Sequence, residues 1–443
     1  MDLLKTNIRT VYFKYLSAAF GSALIGAIYS IVDMAMVGQY QGPDGTAALA
    51  VVAPVWNIIF SLGLLTGIGG SVLYSAEKGK GRTAQCNEYF TVSFLLTLLF
   101  SAVCWLTVIF FDTGLLMLFG AEESLLPLAK AYLLPVKFAI PLFSFNQMLA
   151  AFLRNDNAPG RATAAVISGG IFNMFGDYFF VFVLDMGIMG AGLATASGAL
   201  ITFLILLTHF FCRHHTLKLI HPTGIFPKFR RVLTTGFSTF FIDMAMGILT
   251  TLFNRQIMKY MGINALSIYG VIVNISTIVQ CCAYSVGQAA QPILSVNFGA
   301  GNPKRIRETL KYALYSVAAF SILWTALIFA FPNQFIRIFM APTDEIYRMA
   351  PFILRSYGLS FLLLPLNIFS TYYFQSLMKP GASFFVSVSR GLVISSLFIY
   401  LLPASAGPDS LWLAMPAAEL LAAAAAVFLI IKYTKSLERG SFR

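Results

Sequence analysis

The stretch Gly169-Gly-Ile-Phe-Asn-Met-Phe-Gly-Asp-Tyr-Phe-Phe-Val-Phe-Val-Leu184 decides how this chain is read. It has the apolar character of the second half of a membrane-spanning helix. It nevertheless carries Asn173 and Asp177 one helical turn apart, on the same face. A carboxylate at membrane depth costs roughly 2.5–3.5 kcal/mol on insertion scales, and such residues face a cavity or a partner. Two other segments place polar side chains at comparable depth. Asp33 lies in Tyr29-Ser-Ile-Val-Asp-Met-Ala-Met36 and Thr195 in Gly190-Ala-Gly-Leu-Ala-Thr-Ala-Ser197. The four residues read as one cation-binding cluster.

The composition supports a membrane setting. Of 443 residues, 58% are hydrophobic and only 11% charged, against about 25% charged in soluble domains; the mean hydropathy is +0.78. Apolar runs of spanning length, about 20 residues, recur twelve times between Phe13 and Ile431. The expected fold class is all-α integral membrane, with twelve transmembrane helices. Five cysteines (Cys86, Cys104, Cys212, Cys281, Cys282) show no pairing or metal spacing and read as small buried hydrophobes. The polar N-terminal lead-in has no small-residue cleavage site, so no removable signal is expected.

The net charge of +12 is distributed by loop. Positive residues gather in the N-terminus (Lys5, Arg9, Lys14) and after even-numbered spans. Examples are Lys78, Lys80 and Arg82, then Arg154 and Arg161, then Arg213 to Arg231, then Lys304 to Lys311, and the tail Lys432, Lys435, Arg439 and Arg443. Opposite loops are acidic or sparse, with Arg255, Lys259, Arg337 and Arg348 as exceptions. The positive-inside rule then puts both termini in the cytoplasm. The basic balance reports topology, and no nucleic-acid partner is expected.

The chain also repeats itself. Gly67–Arg82 aligns with Gly287–Asn302, Ala158-Pro-Gly160 with Lys379-Pro-Gly381, and Phe111 and Phe119 with Phe331 and Phe339, each at an offset of about 220 residues. Six spans per repeat is an even number, so the repeats are parallel and enclose a central cavity between them. The expected domains are 1–218, an N-lobe of helices 1–6, and 219–443, a C-lobe of helices 7–12. At this offset Asn173 and Asp177 fall on Ile394 and Phe398, and Asp33 falls beside Phe253-Asn254. The second half keeps the scaffold and drops the acids, which favours a functional cluster over an architectural one.

Tyr29 precedes Asp33 by one turn and shares its face. Two carboxylates, an amide carbonyl and a hydroxyl are oxygen-only ligands, suited to a hard cation such as Na⁺ or H₃O⁺. Two carboxylates in one low-dielectric site cannot both stay charged without a cation between them. A proton or Na⁺ therefore both fit, the metal ligands for Na⁺ being Asp33, Asn173, Asp177 and Thr195. The architectural alternative is a buried network that only joins helices one, five and six.

The chain resembles the multidrug and toxic compound extrusion (MATE) transporters over essentially its full length. The resemblance rests on Ser30-Ile-Val-Asp-Met-Ala-Met-Val-Gly38, Asn173-Met-Phe-Gly-Asp177, Gly190-Ala-Gly-Leu-Ala-Thr195 and the turn Phe298-Gly-Ala-Gly-Asn-Pro303. It implies a 6+6 helix antiporter in the inner membrane of a bacterium. Such a protein exports organic, cationic and amphipathic drugs or toxic metabolites as Na⁺ or H⁺ enters, and it is expected to act as a monomer in the bilayer. The N-lobe cation site of prokaryotic members falls on Asp33, Asn173, Asp177 and Thr195. Another branch of the family relies on acids in helices 7 and 10. Here Asp243 is a candidate in helix 7, but helix 10 has no carboxylate around Leu359–Phe369.

Remaining substrate-cavity candidates are Tyr29, Gln147, Asp243, Gln280 and Gln288, with Asn146 beside them. Glu419 in the twelfth span could line the pocket but reads first as a packing residue, and Arg355 and Arg390 could pair with acids but read first as snorkelling cations. His214, His215 and His221 lack ligand geometry. The alternative function is a flippase or exporter of lipid-linked oligosaccharide or polysaccharide precursors, which needs basic residues lining the cavity. No HExxH, GxSxG or Walker loop is present, so no enzyme, cofactor or ATP-driven pump is expected.

Overall fold

The computed structural model describes residues 2–119, 121–213, 215–340 and 342–438, apart from the Pro43 side chain. His214, Arg439 and Arg443 lie outside the described residues. Twelve helices among the described residues are long and apolar enough to cross a membrane. They are α1 Ile8–Gly42, α2 Asp44–Gly79, α3 Thr83–Leu118, α4 Leu126–Asn155, α5 Pro159–Val183 and α6 Gly187–Phe211. The second set is α7 Ile225–Tyr260, α8 Ile263–Gly299, α9 Pro303–Ala330, α10 Asp344–Ser376, α11 Pro380–Ala406 and α12 Pro408–Leu437. Every apolar run of the sequence matches one of them, and the protein is a multi-pass membrane protein.

The internal repeat is visible in the helix ends. After α2, Gly81 takes φ 75°, with its N–H on the Lys78 carbonyl and the Arg82 N–H on that of Glu77. After α8, Gly301 takes φ 66°, with the same bonds from Gly301 to Phe298 and from Asn302 to Asn297. A left-handed residue that satisfies the last helical carbonyls is a glycine position. The α4 end repeats likewise. Asn157 (φ 62°) and Met378 (φ 56°) close α4 and α10, with N–H bonds from Ala158 to Leu153 and from Lys379 to Phe374.

By contacts the chain forms two compact units, one of Ser17–Phe240 with Met1–Leu3, the other of Leu4–Leu16 with Phe241–Arg443. By these contacts the first unit extends to Phe240 and includes the segment after α6. Its backbone N–H groups are laid onto side-chain acceptors of the first unit. Thr216 donates to Asp156 Oδ2 (2.9 Å), Lys218 to Asn87 Oδ1 (2.9 Å), Ile220 to Thr91 Oγ1 (3.0 Å) and Thr223 to Glu88 Oε1 (3.0 Å). Lys228 at the start of α7 then pairs with Glu88 Oε2 at 2.6 Å. A Cβ on Gly236 would overlap the Leu65 carbonyl of α2, so the first turns of α7 are pressed into the N-terminal unit.

Asp156, between α4 and α5, anchors this strap. It accepts from His209 Nε2 (2.8 Å), Lys78 Nζ (3.1 Å), the Tyr74 hydroxyl (3.2 Å) and the Thr216 hydroxyl. Burial pushes this carboxyl up, but the His209 bond, the Lys78 charge and the Thr216 groups together hold it well below the usual carboxylate range. A depressed folded value contributes stability that is complete above the unfolded pKa of about 3.9 and is lost as pH falls further. Asp156→Asn is therefore expected to destabilise the protein by about 3 kcal/mol at pH 7. The gap from wild type should narrow progressively below about pH 4; thermal melting in detergent at both pH values measures it.

Candidate cation site

Helices α5 and α6 approach closely because their contact is built from small residues. A Cβ on Gly198 would sit 2.7 Å from the Gly169 carbonyl and 3.2 Å from Asn173 Cβ; one on Gly176 would sit 3.0 Å from Ala194 Cβ. Small residues four apart let backbones of membrane helices meet. The same contact sets Asn173 against Thr195, and Asn173 Nδ2 donates to Thr195 Oγ1 at 3.2 Å. Opposite Gly192, a Cβ would overlap the Tyr132 carbonyl, so α4 also lies tight on α6. The Tyr132 hydroxyl thereby stands 3.5 Å from Thr195 Oγ1 and donates to Asp33 Oδ2 at 3.2 Å.

The four expected residues are thus gathered around Tyr132 in one polar island of the first unit. Asn173, Asp177 and Thr195 are buried, while Asp33 on α1 is half-buried. Asp177 is 0% exposed, and neither of its carboxylate oxygens has a hydrogen-bond partner among the described residues. Asp33 Oδ1 and Asn173 Oδ1 are buried and unbonded as well. Four oxygen acceptors with no donor sit on three side chains, and the charges of Asp33 and Asp177 act on each other and on Tyr132. Buried acceptors of this kind are costly unless something positive or protonated satisfies them. The donor set fits Na⁺ or a proton. Among the described residues, no group of three or more His, Cys, Asp or Glu forms a site for a transition metal.

Tyr132 is the member of the island that the sequence does not single out. Its only signal there is an aromatic hydroxyl in the fourth span, which is an ordinary occurrence. Tyr29 lies beside the island: its ring would be 3.5 Å from a Cβ on Gly170 of α5, but its hydroxyl makes no hydrogen bond to a described residue. Gln147 on α4 packs its stem against Gly63 of α2, and Asn146 Nδ2 donates to the Ala199 carbonyl at 2.9 Å.

In the second unit, Asp243 is half-buried and accepts from the Tyr284 hydroxyl at 2.9 Å. Gln280 is buried and lines a cleft; Gln288, two turns further along α8, is half-buried. Arg355 Nε donates to the Phe329 carbonyl at 3.1 Å. Arg390 does not snorkel. It is buried within a π-helical turn at Ser389–Val393, and its Nε donates to Glu419 Oε1 at 2.6 Å. A fully buried carboxylate one hydrogen bond away outweighs the hydration that a distant interface would offer.

The family model MatE matches residues 18–179 and 237–401. The Staphylococcus saprophyticus protein named multidrug export protein MepA is 21% identical over 412 residues, covering 92% of this chain and 90% of that protein. Its Staphylococcus aureus namesake is 21% identical over 411 residues, with the same coverage. Two solved structures superpose with a TM-score of 0.91 at 19% identity. One is described as the outward-facing conformation of a multidrug resistance MATE family transporter of the MOP superfamily, covering 99% of this chain and 98% of that one. The other, from Pyrococcus furiosus, is described as a MOP superfamily transporter whose reverse polarity of binding pocket suggests a different function, covering 98% of each chain. The fold is therefore shared with these structures, and with a family match spanning most of both halves the chain belongs to the MatE family of transporters.

Proposed function

We propose that this protein is a cation-coupled antiporter that exports organic, amphipathic cations from the bacterial cytoplasm by alternating access. The observation that carries the reading is the pair of acids Asp33 and Asp177, buried or half-buried, with three of their four oxygens unbonded among the described residues. The staphylococcal relatives are named for multidrug export, which supports export of organic compounds; their cationic, amphipathic character is what the family resemblance implies, and the loop charges support cytoplasmic termini.

The mechanism rests on the donor arrangement. Asp177 and Asn173 are fixed by the close α5–α6 contact, whereas Asp33 reaches the island from α1, whose neighbouring Ile31 and Met34 are exposed. An entering Na⁺ or proton is the counter-charge that both carboxylates lack. Its binding draws Asp33 toward Asp177 and away from the Tyr132 hydroxyl, which changes how α1 packs on α5. A ligand shifts such an equilibrium only by its differential affinity for the two arrangements. The bound cation cancels one of the two negative charges that would otherwise attract a cationic substrate, so the two compete and exchange. A flippase for lipid-linked precursors is disfavoured, because Arg390 is neutralised by Glu419 and offers a diphosphate no net positive charge.

Asp33→Asn removes one of the two charges and is expected to abolish efflux of a cationic dye from proteoliposomes. Full transport by that variant would end the reading. Separately imposed Na⁺ and H⁺ gradients identify the coupling ion. Tyr132→Phe removes the hydroxyl donor to Asp33 Oδ2. It is expected to slow dye efflux several-fold while changing stability by no more than about 1–2 kcal/mol, read by melting of the same purified protein.

A further inference from the structure

Along α1, Asp33 and Tyr40 lie two helical turns apart on one face, with Val37 between them. Val37 is 0% exposed, so this face is turned into the first unit, whereas Ile31 and Met34 are exposed. The same face meets α5 along its length. Near the start of both helices, Thr163 Oγ1 donates to the Ala18 carbonyl at 2.7 Å and accepts from Ser22 Oγ at 3.1 Å. Midway, a Cβ on Gly170 would stand 2.9 Å from Ile25 and 3.5 Å from the Tyr29 ring. Asp33 follows, its charge acting on Asp177. The last contact is Tyr40, whose hydroxyl donates to Asp185 Oδ1 just beyond the end of α5.

The turn that receives Tyr40 has an unusual backbone. Two residues after Asp177, α5 passes into a π-helical turn at Phe179–Val183, and such turns concentrate at functional sites. Asp185 then takes φ 54° and Gly187 φ 55°, a region that strains a residue with a side chain. The Tyr40 ring lies edge-on to Phe182, with centroids 5.7 Å apart. A Cβ on Gly187 would come within 2.8 Å of the same ring. The turn is therefore shaped around the ring and presents the Asp185 carboxylate to its hydroxyl. The α5 segment meets α1 through two acids: Asp177, which feels the charge of Asp33, and Asp185, which takes Tyr40.

We propose that Tyr40 and Asp185 are positioning residues for cation binding: their hydrogen bond holds the last turns of α1 where Asp33 can share an ion with Asp177. Neither residue touches the ion. The inference rests on the coupling reading of Asp33 and Asp177, and it names the contact that sets ion affinity within that reading. An ion held between two helices binds well only when both carboxylates are within its reach. Its apparent dissociation constant rises as the fraction of protein in that arrangement falls. Without the hydroxyl that fraction falls, and part of the ion's binding free energy goes into returning α1 to its seat. Saturating ion restores the arrangement, so affinity changes and the maximal rate does not.

The test uses full-length protein in proteoliposomes, with efflux of a cationic dye followed as the driving Na⁺ or H⁺ is raised. Tyr40→Phe keeps the ring against Phe182 and loses the hydroxyl. It is expected to raise the half-saturating ion concentration about fivefold, the scale of one hydrogen bond, at an unchanged maximal rate. Asp185→Gly removes the acceptor and accepts the left-handed backbone; it should show the same rise. The double variant should rise no further than either single one, because the two groups form one contact. Asp185→Asn keeps an oxygen for the hydroxyl and tolerates the same φ, and should half-saturate as wild type does. A contact that only supports the fold would lower the maximal rate or the melting temperature and leave half-saturation in place, which overturns the proposal. Equal rises in Asp185→Asn and Asp185→Gly, with Tyr40→Phe at the wild-type value, would mean that the charge of Asp185 attracts the ion, and overturn it too. A wild type whose efflux ignores both ions overturns the coupling reading and this inference together. An ion-dependent wild type with unchanged variants overturns this inference alone.

Discussion

A carboxylate taken out of water must be met by donors or cations, and the contrast between the buried acids of this chain turns on that constraint. Asp156 receives His209, Lys78, Tyr74 and Thr216. Glu88 receives Lys228 and Thr223, Asp112 receives Lys137 at 2.6 Å, and Glu419 receives Arg390 and Asn367. Asp177, as deeply buried as any of them, receives no donor from the described residues. A protein that satisfies these other acids so fully has not left this one bare for want of donors. The bare oxygens are what a reversible cation site requires, since a permanent donor would occupy the place of the ion.

The packing around the site serves the same requirement. Glycine and alanine at the α5–α6 contact bring two backbones together and hold Asn173 and Thr195 in register. Larger residues there would separate the helices and open a gap that water or a side-chain donor could enter. Asp33, by contrast, comes from a helix whose adjoining residues are exposed, and it keeps a single hydroxyl donor. One half of the site is fixed and the other is held lightly. That division is what a site needs if ion binding is to change the position of a helix and not merely fill a hole.

Much of this is legible in the sequence, for physical reasons. Spans show because lipid tolerates only long apolar helices, and all twelve appear. The cluster shows because acids at membrane depth are rare, so Asp33 and Asp177 stand out against an apolar background. What stays hidden depends on geometry that one chain does not advertise. Tyr132 looks like any aromatic residue of a span until Gly192 is seen to let α4 approach α6. His209 lies at the end of α6, yet only the structure brings it to Asp156. Arg390 reads first as snorkelling from sequence, with an acid partner left open; Glu419 lies 29 residues away on another helix, and only the structure brings the two together.

The two halves make the relation between repeat and function explicit. Their helix ends agree bond for bond, from the glycine turns after α2 and α8 to the left-handed residues after α4 and α10. The scaffold is therefore duplicated faithfully, while the buried charges are not. The first half carries two acids with oxygens unmet; the second carries Glu419 paired with Arg390, and Asp243 bonded to the Tyr284 hydroxyl. On the proposed coupling, a cation arriving at two unmatched carboxylates changes their charge balance and with it the preferred packing of that unit. Duplication followed by this divergence keeps one architecture while confining the unmet oxygens of the proposed cation site to the first half.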